Sequence, residues 1–508
     1  MHRCLALLPL LLLPGCPPDK RDSTQESPPP VETGESGQLD TQETGHGETG
    51  ATETGGGETG SDDSDGDTGD TTPARRWVCG VDGIPSDGAP LGFTSLAGAE
   101  AIFSYIGGYF TAADSDGDGC SDYAFGSSGG GDCPGVTKVF FGPTLGDMDA
   151  EADWTSSLVG QPGDWAVQPA SGDIDGDGLA DWVIGGELLD GGLGGAYVAY
   201  GPVYGEVDLW TEADAILLGQ GDYAGGDENR VADMNGDELG DVLLVARAYM
   251  MDGVYPGAVY VENGPVAGTR SLSDSDAIIV GDPEQELWVD SISCGGDLDG
   301  DGFRDLFVGS GYSQWYTGGV YVIPGPLASS TSVADADSLW IGEGYSFAGY
   351  DLSSGGDVDG DGYGDMLVGA PYYGNEGGRA YLLHGPVVGT HSLAEADAIV
   401  WASGSTAWVG RSVSLEQDMD GDGRADVAIG APGAAGAPNR GAVFLFYEPF
   451  SGTVNALDEA EAVLYSEVDD HMSATGYRME SAGDINGDGY GDLHIGTLPD
   501  YLVFGGPR

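Results

Sequence analysis

The sequence predicts an all-β fold, a seven-bladed β-propeller of four-stranded blades, on three observations. An acidic, glycine-studded motif recurs seven times, each copy is followed by short apolar runs of β type, and no segment shows helical periodicity. The motif, Asp-x-[Asp/Asn]-Gly-Asp-[Gly/Glu]-x-x-Asp, begins at Asp114, Asp173, Asp233, Asp297, Asp357, Asp418 and Asp484, at intervals of 59, 60, 64, 60, 61 and 66 residues. Units of this length that bury little apolar surface alone must stack to make a core.

Within each unit the strands follow in order. Strand A leads into the acidic loop, as in Asp351-Leu352-Ser353-Ser354-Gly355, and strand B follows it, as in Asp365-Met366-Leu367-Val368-Gly369. Strand C ends in Gly-Pro in most units, for example Ala380 to Pro386. Strand D opens on an acid-Ala signal at Glu100, Asp153, Asp214, Asp276, Asp337, Asp397 and Glu461, although Asp153 and Asp337 lack the Ala. The first of these signals precedes the first acidic loop, while the last unit stops after strand C at Tyr501 to Pro507. Ring closure resolves both ends at once: residues 101–106 are expected to complete the last blade beside residues 501–504, removing an open edge.

The acidic loops read as metal sites. A hard divalent cation such as Ca²⁺ takes six to eight oxygens, and glycine lets the backbone curl tightly enough to aim them inward. The expected side-chain ligands are Asp114, Asp116, Asp118 and Asp122 in the first loop, and Asp173, Asp175, Asp177 and Asp181 in the second. The third offers Asp233, Asn235, Asp237 and Asp241, and the fourth Asp297, Asp299, Asp301 and Asp305. The fifth offers Asp357, Asp359, Asp361 and Asp365, the sixth Asp418, Asp420, Asp422 and Asp426, and the seventh Asp484, Asn486, Asp488 and Asp492. Up to seven Ca²⁺ are expected, one per blade. Asn235, and Glu238 in place of a glycine, make the third loop the weakest expected site. An EF-hand is excluded because the twelfth position is apolar, for example Ile184, and the flanks are strands.

At these residues the chain resembles a known family. Gly356 to Asp365 followed by Met366-Leu367-Val368-Gly369-Ala370-Pro371, and Asp418 to Asp426 followed by Gly430-Ala431-Pro432, are similar to the FG-GAP repeat of the integrin α-subunit N-terminal propeller. The resemblance covers about residues 98–508. It implies seven blades, Ca²⁺ in the A–B loops on one face, and ligand recognition on the opposite face. The chain departs from the family in carrying a metal loop in every blade and a full Gly-Ala-Pro in few.

Composition narrows the function. With 85 Asp+Glu against 16 Lys+Arg the chain carries a formal charge of -69, which excludes a nucleic-acid binder because phosphate backbones need clustered cations. Residues 17–72 hold a net -13 and almost no large apolar side chain, so they read as a disordered, self-repelling linker. Residues 73–97 read as an N-terminal extension and 98–508 as the propeller. Residues 73–508 carry a net -57, which seven Ca²⁺ would reduce to -43, so most of that acidity is surface. Met1 to Cys16 reads as a signal peptide, with an apolar run from Leu5 to Leu13 too short to span a bilayer. Leu13-Pro14-Gly15-Cys16 resembles the lipobox of bacterial lipoproteins, which implies acylation of Cys16 and an exported, outer-membrane or cell-surface protein, with periplasmic or secreted locations as alternatives.

An exported chain permits disulfides, and one bond is expected among Cys79, Cys120 and Cys133, while Cys294 reads as a small buried thiol. The six His share no spacing, and no Gly-x-Ser-x-Gly, His-Glu-x-x-His or Cys-x-x-Cys appears, so no catalytic residue is assigned. The D–A and B–C connections belong opposite the metal loops and are rich in Tyr and Trp. Trp165, Trp288, Phe347 and Trp408 recur at similar distances before their loops and are expected to pack in strand A. Trp315, Tyr316, Tyr372 and Tyr373 are the expected contact residues. The expected function is adhesion or ligand binding, to a protein or glycan, by a monomer tied to the membrane only through its lipid. The competing reading is a carbohydrate-active enzyme, a lyase or glycosidase.

Overall fold

The computed structural model describes residues 92–95, 101–104, 109–127, 134–143, 148–149, 154–226, 228–251, 253–282, 289–312, 316–327, 329–403, 406–434, 441–466, 474–496 and 500–508. The expected signal peptide with Cys16, the linker, Cys79, Cys133, Trp288 and Trp315 lie outside them. All described residues lie within the unit Trp77–Arg508.

Seven sheets make a seven-bladed propeller. In the fifth blade, strand A is Leu352–Ser354, B is Met366–Ala370, C is Arg379–Leu383 and D is Ala398–Trp401, each antiparallel to the next. Strands A of the seven blades are Phe110–Ala113, Ala166–Gly172, Asn229–Ala232, Ser291–Ser293, Leu352–Ser354, Val413–Gln417 and Arg478–Gly483, and they line a central channel. Most B and C strands are buried along nearly their whole length, as in Asp241–Ala246 and Ala258–Glu262, because neighbouring blades cover both of their faces, while strand C of blade one, Pro134–Phe140, alternates. A strand covered on both sides reads as a continuous apolar run rather than an alternating one. Strand D alternates, as in Ala215–Leu218, where only one face meets a neighbour.

The core is divided among the blade interfaces. Leu367, Leu382 and Val400 of blade five meet Val427, Ile429 and Phe444 of blade six. Leu502 and Ala482 of blade seven meet Tyr123, Phe125 and Phe140 of blade one, which closes the ring. Fully burying one such side chain is worth about 1.5–3 kcal/mol.

Closure occurs as expected. Ala101–Ser104 pairs antiparallel with Asp500–Val503, in the register Ala101↔Leu502, Ile102↔Tyr501 and Phe103↔Asp500. The blades differ from the expected four strands in one respect: each carries a fifth, outermost strand lent by a segment outside its own unit. Gly205–Asp208, just past the Gly-Pro of unit two, runs parallel to strand D of blade one, and Gly452–Asn455 does the same for blade five. Gly92–Ser95 performs this role for blade six, so the stretch read as an extension supplies a strand to the propeller. The physical reason is edge protection, since strand D would otherwise present an unpaired row of donors and acceptors.

The acid-Ala signal also has a local cause. The carboxylates of Asp214, Asp276 and Asp397 accept hydrogen bonds from the backbone N–H of Tyr200 (2.9 Å), Asn263 (3.0 Å) and His384 (3.0 Å), pinning the start of strand D to the end of strand C. A short helical turn precedes strand D, capped by Asp208, Ser271, Ser332 or Ser392. Among the described residues no helix is long and apolar enough to cross a membrane.

Candidate metal loops and the opposite face

Each acidic loop is a tight coil held by its own carboxylates. In loop two, Asp173 accepts from the N–H of Gly176 (2.7 Å) and Gly178 (3.0 Å), and Asp177 accepts from Leu179 (2.9 Å). Both glycines sit at positive φ, +81° and +87°, as such a coil requires. The ninth-position aspartate ties the loop to the blade. Asp181 accepts from Ile174 (2.7 Å) on one oxygen and from Gly201 (2.8 Å), at the end of strand C, on the other. The same link joins Asp122 to Gly142, Asp241 to Gly264, Asp305 to Gly325, Asp365 to Gly385 and Asp492 to Gly505.

In four of the loops these bonds bring together three of the four residues expected from the sequence, leaving out the fifth-position aspartate in loops one, two and four and the ninth-position Asp365 in loop five. Oxygens of Asp114, Asp116 and Asp122, of Asp173, Asp175 and Asp181, of Asp297, Asp299 and Asp305, and of Asp357, Asp359 and Asp361 each converge within 4.8 Å. Blade six lacks the glycine link, because Glu448-Pro449 stands where other units have Gly-Pro, and one oxygen of the buried Asp426 has no hydrogen-bond partner. Burial, with the other loop carboxylates adding repulsion, raises Asp181 and Asp305 to about 6 and Asp426 to about 8. Hard oxygen donors, a buried oxygen without a partner, and carboxylates that repel one another fit a divalent cation.

The loops are also joined to one another. The eighth-position N–H of one loop donates to the first-position carbonyl of the loop before it: Ala180 to Asp114 (2.9 Å), Gly240 to Asp173 (2.7 Å), Gly364 to Asp297 (3.0 Å), Ala425 to Asp357 (3.0 Å) and Gly491 to Asp418 (2.9 Å). Ser121 to Asp484 (2.9 Å) carries the series from the last blade back to the first. The fourth-position glycine leaves room for the next loop's seventh side chain, so a Cβ on Gly300 would lie 2.4 Å from the Tyr363 ring and one on Gly421 2.4 Å from that of Tyr490.

Loop three is the irregular one. Glu238 stands at φ +71°, where its counterparts Gly178, Gly302, Gly362, Gly423 and Gly489 lie between +87° and +95°. The amide of Asn235 donates to Asp241 at 3.2 Å. An L side chain in the left-handed region costs about 1–2 kcal/mol. Glu238→Gly is therefore expected to stabilise the domain by about 1 kcal/mol, read as a higher midpoint in urea unfolding; an unchanged or lower midpoint would show that the Glu238 side chain repays its strain.

Two contacts at the loops were not anticipated from sequence. The Nδ1 of His384 lies 3.1 Å from Asp365 and 3.7 Å from Asp359, and Arg508 pairs with Asp420 and with Glu448 (3.1 Å). His384 had a signal, since it occupies the slot before Gly-Pro that holds Tyr200 and Asn263 in other units. Cys120 is buried and disulfide-bonded, with its partner outside the described residues, and Cys294 is buried as expected.

The opposite face is built from D–A turns with one design. An aromatic at positive φ precedes a small buried residue: Trp165-Ala166, Tyr223-Ala224, Phe347-Ala348 and Trp408-Val409. Here the sequence reading is corrected. Trp165 is 39 % exposed in the turn ahead of strand A, and Phe347 and Trp408 are half-buried in equivalent turns rather than packed within strand A. The acids of these turns hold tyrosines of strand C, as in Tyr260 to Asp222 (2.5 Å) and Tyr197 to Asp164. Of the expected contact residues, Tyr316 is 46 % exposed and stacks on Phe347 at 5.0 Å, with Tyr372 on the same ring at 4.7 Å. Tyr373 instead carries the Arg379 guanidinium 3.7 Å above its ring.

Comparison with known proteins agrees with this architecture. The model of the FG-GAP repeat family matches residues 291–323, 348–383 and 409–446, the A to C strands of blades four, five and six. The chain is 31% identical over 234 residues to integrin alpha pat-2 of Caenorhabditis briggsae, covering 43% of this chain and 18% of the relative. It is 29% identical over 270 residues to integrin alpha-5 of Xenopus laevis, covering 51% and 24%, and 31% identical over 205 residues to phosphatidylinositol-glycan-specific phospholipase D of Bos taurus, covering 38% and 22%. The matched region spans less than a quarter of each of these three relatives. Three stretches of this seven-bladed β-propeller thus match the FG-GAP repeat, and about half of the chain is similar in sequence to part of integrin α subunits.

Proposed function

We propose that this chain is a non-enzymatic recognition propeller, loaded with Ca²⁺ and held at the cell envelope, which binds a protein or glycan ligand through the face opposite the acidic loops. One observation carries the reading: the two ends of the ring are chemically divided, with the carboxylate loops at one end and turns bearing exposed Tyr and Trp at the other. Similarity to integrin α subunits supports a role in adhesion. The first, third, fifth and ninth residues of each loop, Asp114 to Asp492, would hold the cation, which supplies positive charge to offset their carboxylates. Cys16 would carry the lipid and residues 17–72 would act as the tether.

The test is capture from the native envelope by the calcium-loaded protein. A discrete ligand is expected, retained by wild type and lost from Tyr316→Ala and Tyr345→Ala, whose side chains are 46 % and 68 % exposed, with no change in melting temperature. Ligand capture indifferent to every residue of this face would overturn the assignment of the face, and turnover of a captured polysaccharide would overturn the non-enzymatic reading.

A further inference from the structure

On the face opposite the acidic loops the central channel opens into a cavity of about 240 Å³, framed by the leading ends of the A strands. Residues 98–508 contain only ten Arg, and four of them, Arg230, Arg247, Arg411 and Arg478, line this opening. Resting on the reading that this face recognises ligands, we propose that the opening is a site for an acidic sugar, a uronate residue whose carboxylate the guanidinium groups receive and whose ring lies against tyrosine.

The arginines are held in place by rings and acids. Arg411 lies between Tyr477, at 3.9 Å, and Tyr350, at 4.6 Å, and Arg478 lies 4.1 Å over Tyr109. A guanidinium stacked on its faces directs its N–H groups outward in its own plane, the geometry that a carboxylate meets with two parallel hydrogen bonds. Arg230 is anchored to Glu228 at 3.0 Å, and Arg247 to the Asp290 carbonyl at 2.9 Å. The lining also contains Glu228, Asp290, Asp351 and Glu480, one acid for each arginine. In a domain of net -57, such a balanced lining is where an anion meets least repulsion. Burial and the neighbouring Glu228 raise Asp351 to about 7, which removes part of the negative charge from the lining at neutral pH.

Size and surface favour a sugar over a peptide. The cavity of about 240 Å³ is continuous with the channel behind it, so it admits one sugar ring at its mouth with room for a chain to extend inward or outward. Apart from its tyrosine rings the lining has only Phe110, Pro169 and Met479 as apolar side chains, with no aliphatic Leu, Ile or Val for the apolar side of a helix to meet. Tyr312 and Tyr477, 47 % and 43 % exposed at the rim, offer flat faces to the C–H side of a pyranose.

The experiment is calorimetric titration of the calcium-loaded protein with a galacturonate or glucuronate oligomer, its neutral counterpart, and an Asp/Glu-rich peptide. Saturable binding of the uronate alone is expected. Arg411→Gln and the rim variant Arg247→Gln should each weaken it at least tenfold, and Tyr312→Ala should weaken it with the melting temperature unchanged, which separates loss of the site from loss of the fold. Equal binding of the neutral oligomer, no uronate binding, or binding indifferent to these variants would overturn the proposal. Preference for the acidic peptide would also overturn the sugar while leaving the recognition face standing, and capture of a different envelope ligand sensitive to Tyr316→Ala would do the same.

Discussion

Deleting residues 98–107 is expected to unfold the domain at room temperature or to lower its melting temperature by tens of degrees. The segment Ala101–Ser104 is strand D of the last blade, and it covers the edge of Asp500–Val503, whose Tyr501, Leu502 and Val503 are all buried. Uncovering three such residues costs roughly 5 kcal/mol at about 1.5–3 kcal/mol each, comparable to the whole stability of a typical domain. The loss is also one of connectivity, because this pairing joins the two ends of the ring. Scanning calorimetry of the truncated protein is the check, and a melting temperature within a few degrees of wild type would refute closure as a stabilising device. A synthetic peptide of residues 92–107 added to the truncated chain should restore part of the transition.

Chelation of divalent cations is expected to produce the second large effect, and its pH dependence has a definite sign. Without cation, burial raises Asp122, Asp181, Asp241 and Asp305 to about 6, and Asp426 and Asp492 to about 8. For Asp122, moving from 3.8 to about 6 costs the ionised fold roughly 3 kcal/mol. A carboxyl whose folded value lies above its unfolded one contributes stability below the unfolded value and loses it as pH rises through the folded value. The cation-free domain should therefore gain melting temperature as pH falls from about 9 to about 5. With saturating Ca²⁺ the slope should reverse, since protons and the cation compete for the same oxygens. Two calorimetric series, one in chelator and one in calcium, should converge at low pH and diverge above pH 8. Parallel curves would refute the loops as cation sites.

Much of the architecture was legible because its causes are local. Glycines at positive φ in the coils, apolar runs in strands B and C, and the acid that pins strand D all leave marks in the sequence. The spare strand at the front was legible by subtraction. The fifth strand was not, because Gly205–Asp208 is mostly exposed and backbone pairing does most of the holding, with only Val207 packed against the core to mark it in the sequence. The acidic loops were located by their repeat position, yet the tie from Asp181 to Gly201 spans 20 residues and needs the blade to exist first. The aromatic turns were misread for a similar reason: Trp165 keeps its spacing before the loop, but its positive φ turns the side chain out of the strand.

The hydrogen bonds that run from one acidic loop to the next give the acidic face a property that a linear array of repeats lacks. A linear array has end units with one neighbour, and unravelling starts there. In this ring Ser121 reaches back to Asp484, so the first loop is supported as an interior one is. Among the described residues the series has one gap, between loops three and four, so fraying of this face starts at that seam inside the chain and not at its two ends.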